Sequence, residues 1–325
     1  MIPLDAFFNP YYVDIVVFLI IYMMLGLGLN LMTGYAGQVS LGHAAFFGIG
    51  AYSSAILSTK AGIDPWISMI LAVVLTFLFS AVLGLPSLRV REDFLAITTL
   101  GLGLIIQSFF KNADITGGAY GIDSIPPLSL FGTKLDNTGV LVVVALALLA
   151  SIYALRKMTR SRIGRAWMVI REDETVAKAM GIHTTYCKVL VFAIGGAYAG
   201  AAGALFAHKM SFIGAESFGF TVSATVLSMV VVGGLGSIRG TLFGVTLLYL
   251  LPELFRLFKI DGVDMKYIDM YKMMLYGLLM VVVMRYRPKG IFGKTGMKTK
   301  SCRAADEDRS ADRETKGVKE RVDPA

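Results

Sequence analysis

The feature that most constrains this chain is the recurrence of apolar runs near the length that crosses a bilayer. A helix needs about 20 mostly apolar residues to span the hydrocarbon core. Runs near that length are Ile15–Met32, Leu41–Leu57, Trp66–Leu85, Phe94–Phe110, Gly139–Leu155, Val189–Ala207, Phe218–Leu235, Thr241–Leu257 and Met270–Met284. Lipid offers no partner to a free backbone N–H or C=O, so each run is expected to be helical. The alternation of barrel strands is absent. Composition agrees: 55% of residues are hydrophobic and only 17% charged, against about a quarter charged in soluble domains. The expected fold class is an all-α, polytopic transmembrane helical bundle of about nine spans, give or take one.

Charge gives the orientation. Lys and Arg gather in Arg89–Arg91, Arg156–Lys188, Arg239 and the stretch from Arg285 onward. Placing the N-terminus outside puts all four on the cytoplasmic side, as the positive-inside rule requires. The net charge of +8 is thereby spread between spans, which argues against a nucleic-acid patch. No Lys or Arg precedes Lys60, so Ile15–Met32 reads as a first membrane helix rather than a signal peptide. Three regions follow: a short extracytoplasmic segment over 1–14, a membrane domain over 15–293 that includes a cytoplasmic loop at 156–188, and a charged cytoplasmic tail over 294–325. That tail has too few apolar residues to fold alone.

Two stretches carry candidate function. The first, NLMTGYAGQVSLGHAAFFGIGAY at Asn30–Tyr52, sets Asn30, Thr33, Gln38, Ser40 and His43 among apolar residues, with Gly34, Gly37 and Gly42 loosening the backbone. Polar side chains in a membrane are retained when they find a partner or line a wet path. One reading is a helix–turn–helix element on such a path. The other is that Ser40 and His43 only hydrogen-bond a neighbouring helix.

The second is SRIGRAWMVIREDETVAKAMGIHTTY at Ser161–Tyr186, helical in composition through Ala179. Trp167, Met168, Val169, Ile170 and Met180 are poorly suited to bare solvent. The charges Arg165, Arg171, Glu172, Asp173 and Glu174, with the small residues Gly164, Ala177 and Gly181, suit a helix seated on a partner whose register is fixed by charge. Gly196–Gly200, Gly236–Gly240 and Gly240–Gly244 are spaced for close helix packing, within the chain or between subunits.

Catalytic chemistry has no foothold here. There is no paired carboxylate set, no nucleophile with a base and no metal-ligand spacing, and Cys187 and Cys302 stand alone. Gly293-Lys294-Thr295 ends like a phosphate-binding loop, but position 288 is Pro288 where that loop needs Gly. No cofactor and no enzymatic activity are expected.

The stretches GLNLMTGYAGQVSLGHAAFFGIGAY, TGGAYGI at Thr116–Ile122, GRAWMVIREDETVAKAMGI at Gly164–Ile182, GGLGSIRGTLFG at Gly233–Gly244 and RPKGIFG at Arg287–Gly293 resemble, in order, the LivM-type permease subunits of branched-chain amino acid ABC importers. The resemblance implies a bacterial inner-membrane subunit. Its implied partners are a second, LivH-type permease, two cytoplasmic ABC ATPase subunits and a periplasmic solute-binding protein. It makes Arg162–Ile182 the segment that couples to an ATPase. Of the Glu-Ala-Ala-x-x-x-Gly pattern common in such segments, only Ala177 and Gly181 match, with Glu174 one position early. Urea and short-chain amide importers use similar permeases, so the solute stays open at this point. A stand-alone carrier would instead need intramembrane ionisable groups, for which His43, Glu253 with Arg256, and Lys272 are the candidates. Pro252 is expected to kink or end its helix.

Overall fold

In the computed structural model, described for residues 10–87, 92–130 and 133–257 and the isolated positions 274, 277, 278, 280, 281, 285, 286 and 290–292, two helices form the buried centre. They are α1 (Pro10–Asn30) and α8 (Thr184–Met210). Two thirds of the apolar stretch of each is buried, against 28% for α3 (Pro65–Ser87) and 17% for α4 (Glu92–Asn112) and α5 (Asn137–Arg160). The outer three turn Ile70, Val74, Phe79, Ile97, Ile105 and Leu149 outward, an apolar surface that suits lipid.

Small residues explain why α8 is central. A Cβ at Gly200 would stand 2.6 Å from the Thr76 side chain of α3, and one at Gly203 would strike the Phe47 carbonyl of α2 (His43–Thr59). Backbones therefore approach where a larger residue would hold them apart. Gly240 and Gly244 on α10 (Ile238–Leu257) meet Gly233 at the end of α9 (Phe220–Gly233) in the same manner. These glycines serve packing within the chain.

The all-helical expectation holds for the described residues, apart from a small hairpin of β1 (Ser129–Leu130) and β2 (Thr133–Lys134) in the α4–α5 connection. The described residues account for only part of the expected nine spans. Six helices among the described residues are long and apolar enough to cross a membrane. The run Leu41–Leu57 forms α2, whose 17 residues reach only about 26 Å, because the chain before it is not helical. Thr241–Leu257 lies in α10, which also holds Arg239, Glu253 and Arg256 and continues past Pro252 to Leu257. Met270–Met284 lies mostly outside the described residues. So does the tail: the structure divides into the units Met1–Gly293 and Lys294–Ala325, and only the first is described. At the other end, α1 already begins at Pro10, ahead of Ile15.

The segment expected to be a cytoplasmic loop is two helices where one was expected. α6 (Arg162–Glu172) stops at Asp173, whose extended backbone (φ −159°, ψ 115°) starts α7 (Glu174–Ala179). An Asp at an N-cap satisfies amides that have no helical partner, and Asp173 Oδ1 accepts from Thr175 N–H at 2.7 Å and Val176 N–H at 3.1 Å.

Candidate functional site

The Asn30–Tyr52 stretch is a broken helix. α1 passes into one π-helical stretch at Leu31–Tyr35, the chain leaves helical geometry at Gly37–Gly42, and α2 begins at His43. Gly37 lies at φ +75°, where a side chain would be strained. Freed backbone groups still need partners inside a membrane protein. Neighbouring helices supply them: Thr99 Oγ1 of α4 accepts from Leu41 N–H at 3.1 Å, and Ser223 Oγ of α9 accepts from Ala44 N–H at 2.9 Å. The Gln38 N–H donates to the Met32 carbonyl at 3.0 Å, closing the turn.

The five polar residues singled out in this stretch are all buried: Asn30, Ser40 and His43 at 0% exposure, Gln38 at 3% and Thr33 at 4%. They differ in how they are satisfied. Thr33 Oγ1 donates to the Gln38 carbonyl, 3.2 Å away. Asn30 Oδ1 accepts from Gly236 N–H at 2.9 Å, while its Nδ2 has no partner. His43 Nε2 lies 3.1 Å from the Leu25 carbonyl and so donates there, leaving Nδ1 an acceptor with nothing to accept. Both polar atoms of the Gln38 amide and the Ser40 hydroxyl are unpartnered as well. Among the described residues, every buried side-chain polar atom without a partner belongs to Asn30, Gln38, Ser40, His43 or Tyr52. A plain helix–helix bond accounts for half of His43 and none of Ser40. Beside the break, Gly42, Phe46, Thr99, Ile106 and Phe192 line a mainly apolar cleft.

The α6–α7 segment sits on a fixed base. Trp167 is fully buried and donates from Nε1 to the Cys187 carbonyl at 2.9 Å, and Ile170 is buried beside it. Gly164 lies against the Met158 and Thr159 carbonyls and donates its N–H to the capping Ser161 Oγ at 3.3 Å. The apolar set thus divides. Trp167 and Ile170 face the chain's own core, Val169 is half-buried, and Met168 and Met180 are exposed, joined by Ile163 and Val176.

The charges divide too. Arg165 donates to the Arg160 carbonyl at 3.2 Å, and Glu172 is exposed. Glu174 binds Lys188 at 2.6 Å and Lys178 at 3.1 Å. Partial burial pushes its carboxyl pKa up, and the hydrogen bonds and charges of the two lysines outweigh that and hold it below the usual value. Ala177 is fully buried. Gly181, at φ +77° with open space around it, is present for its backbone: Gly181 N–H bonds back to Lys178 and Ile182 N–H to Ala177, ending α7 in a left-handed cap.

Arg171 joins the two stretches. Its Nη1 donates to the carbonyl of Gly34, inside the π-helical stretch of the break. The two motifs, separate in the sequence, meet at this contact. Thr99, Ser223, Lys188 and Gly236 have partners that depend on which helices become neighbours. Lys188, a charge beside an apolar run, and Gly236, spaced four residues from Gly240, are the two that carry a signal in the sequence.

A family model described as the permease component of branched-chain amino acid transport systems matches residues 11–284. The high-affinity branched-chain amino acid transport system permease protein LivM of Salmonella typhimurium is 37% identical, over 91% of this chain and 73% of that protein. LivM of Escherichia coli K12 is 36% identical, over 87% and 70%. The LivH permease protein of Salmonella typhimurium is 24% identical, over 84% and 91%. No solved structure matches. With a broken, polar-lined membrane helix, a helical loop between two long apolar helices and a family match over most of its length, the chain belongs to the branched-chain amino acid transport permease family.

Proposed function

We propose that this chain is one of two permease subunits in an ATP-driven importer of a bacterial inner membrane, where it forms half of the path for leucine, isoleucine and valine. A LivH-type permease forms the other half. Two cytoplasmic ABC ATPases dock on α6–α7, and a periplasmic solute-binding protein delivers solute from the opposite side. The N-terminus lies outside and the C-terminus in the cytoplasm, and α2, α10 and the run at Met270–Met284 complete about nine crossings. The chain itself performs no chemistry on the solute.

One observation carries the reading. Unpartnered buried polar atoms cluster in the broken helix, and each costs about 1–3 kcal/mol when left unpaired. A fold keeps such groups when water, solute or a second conformation pairs them. The ammonium and carboxylate of an amino acid need polar groups of this kind, and the apolar cleft at Gly42, Phe46, Ile106 and Phe192 suits an aliphatic side chain.

The test is reconstitution in liposomes with the partner permease, both ATPases and the binding protein. Radiolabelled leucine should enter only with ATP on the ATPase side, and unlabelled isoleucine and valine should compete. Uptake by this chain alone under an ion gradient would replace the importer with a carrier. Competition by urea or short-chain amides, without competition by isoleucine, would move the solute assignment.

A further inference from the structure

The last turn of α6 holds a contact that docking on an ATPase does not explain. Arg171 sits in the exposed charged cluster, yet its guanidinium reaches back to the Gly34 carbonyl at the cytoplasmic-loop end of α1. Two glycines from separate parts of the chain, Gly37 and Gly236, make room for it, and Gly34 lets the Asn30 side chain and the Gly236 backbone close in beside its own carbonyl. A Cβ on Gly37 would lie 3.0 Å from Arg171 Cγ, and one on Gly236 would lie 3.0 Å from Nη1 and 3.0 Å from the Gly34 oxygen. A Cβ on Gly34 would collide with Asn30 Oδ1 and the Gly236 nitrogen. Gly37 and Gly236 both have positive φ, at +75° and +78°, so neither backbone readily accepts another residue.

This junction ties three elements together. Arg171 brings α6, Gly34 brings the π-helical stretch of α1, and Gly236 brings the turn between α9 and α10 through its 2.9 Å bond to Asn30. Two physical properties make it more than a pin. Carbonyls near a helix C-terminus carry partial negative charge, so a guanidinium there is favourable. A π-helical turn is a rarely adopted register that often marks functional sites, and this one leads directly to Gln38, Ser40 and His43.

We infer that Arg171 is the positioning residue that ties α6 to the break in α1 and to the α9–α10 turn, so that displacement of α6 reaches the unpartnered polar groups. Trp167 and Ile170 hold α6 to α8 and the core, and Met168, Val176 and Met180 offer the outward face. Arg171 is then directed at its own chain, and the ATPase contact falls to its neighbours.

This inference rests on the importer reading, and its test separates the two. In the reconstituted complex, Arg171→Met keeps length and removes the donor. Copurification of all subunits should persist and ATP hydrolysis should stay within about twofold, while solute moved per ATP falls about tenfold, an ordinary size for a coupling effect. Arg171→Lys keeps a donor and should fall between. Gly236→Ala intrudes on the guanidinium from the other side and should reproduce the loss of solute per ATP. An unchanged ratio in Arg171→Met overturns the inference. Loss of ATPase subunits, or hydrolysis falling in step with uptake, also overturns it, because Arg171 would then belong to the docking face. A second measurement needs no transport: in the purified chain, Arg171→Met should speed amide exchange across Leu31–Gly42. Unchanged exchange there overturns the junction even if the importer reading itself fails.

Discussion

Gln38 and His208 contrast an unsatisfied buried polar group with a fully engaged one at the scale of a single residue. His208 is buried at 2% exposure but fully engaged, with Nδ1 2.7 Å from the Pro126 carbonyl and Nε2 2.9 Å from Ser54 Oγ. Gln38 is as deeply buried, and neither end of its amide has a partner. Replacing an unsatisfied buried group by an apolar one of similar shape is close to neutral or stabilising. Gln38→Met should therefore leave thermal stability within about 1 kcal/mol of the parent, or above it, while solute uptake drops several-fold. His208→Leu should do the opposite, lowering stability by stranding the partners it now serves. Thermal unfolding in detergent, set beside uptake in liposomes, reads both. A Gln38→Met protein that is less stable yet fully active would show that Gln38 serves folding and not passage. Trp167 belongs with His208: its removal in Trp167→Ala should cost about 3–5 kcal/mol, because ring burial and the bond to Cys187 are lost together.

At the scale of elements, the α6–α7 unit owes its bend to Asp173. Asp173→Ala should cost about 1 kcal/mol of local stability, visible as faster amide exchange in Thr175 and Val176 with α6 unchanged. The Glu174 pairs add a pH dependence whose sign follows from its lowered pKa. The carboxylate's stabilising contribution is complete above the unfolded value of about 4.3 and is lost as pH falls through the lower folded value. Exchange protection of α7 should therefore hold steady from neutral pH down to mild acid and decline below it, and Glu174→Gln should flatten that profile.

These elements also show what the amino-acid order could and could not reveal. Apolar length located α1, α3, α4, α5 and α8, because a membrane span needs only local composition. The break after Asn30 was legible from Gly34, Gly37 and Gly42, which loosen a helix wherever they stand. Why Arg171 sits in its cluster was not legible, since its partner Gly34 is 137 positions away and only the packed fold brings them together. The outward role expected of Trp167 and Ile170 failed for the same reason. An apolar residue in a loop seeks burial, and sequence alone does not say whether a partner or the chain's own α8 provides it.

The whole molecule has two distinct ends, and they fix what an accessibility experiment should find. One end gathers the Ile122–Ile213 bridge, the Lys111–Glu216 pair at 3.0 Å and the Lys209–Asp14 pair at 2.6 Å. The other gathers α6–α7, the Arg171–Gly34 junction and the α9–α10 turn. Acidic residues at the first end balance Lys111 and Lys209, whereas Lys157, Arg160, Arg162 and Arg165 crowd the second. Moving that excess across a membrane is disfavoured, so the second end should be cytoplasmic. Tyr120 at the first end is 91% exposed and Met180 at the second is 66% exposed, so a cysteine at either would be reachable from one side. Cys187 is buried, so Cys302→Ser is the one background change a thiol-labelling experiment needs. In intact spheroplasts, Tyr120→Cys should react with a membrane-impermeant maleimide, and Met180→Cys should react only after the membrane is opened. The reverse pattern would invert the protein and place α6–α7 where no ATPase can reach it. Labelling of both from outside would mean that the two ends do not lie on opposite faces. If the ATPases dock on α6–α7 as proposed, adding them to opened membranes should then protect Met180→Cys, which lies on the exposed face with Val176, and leave Tyr120→Cys reactive.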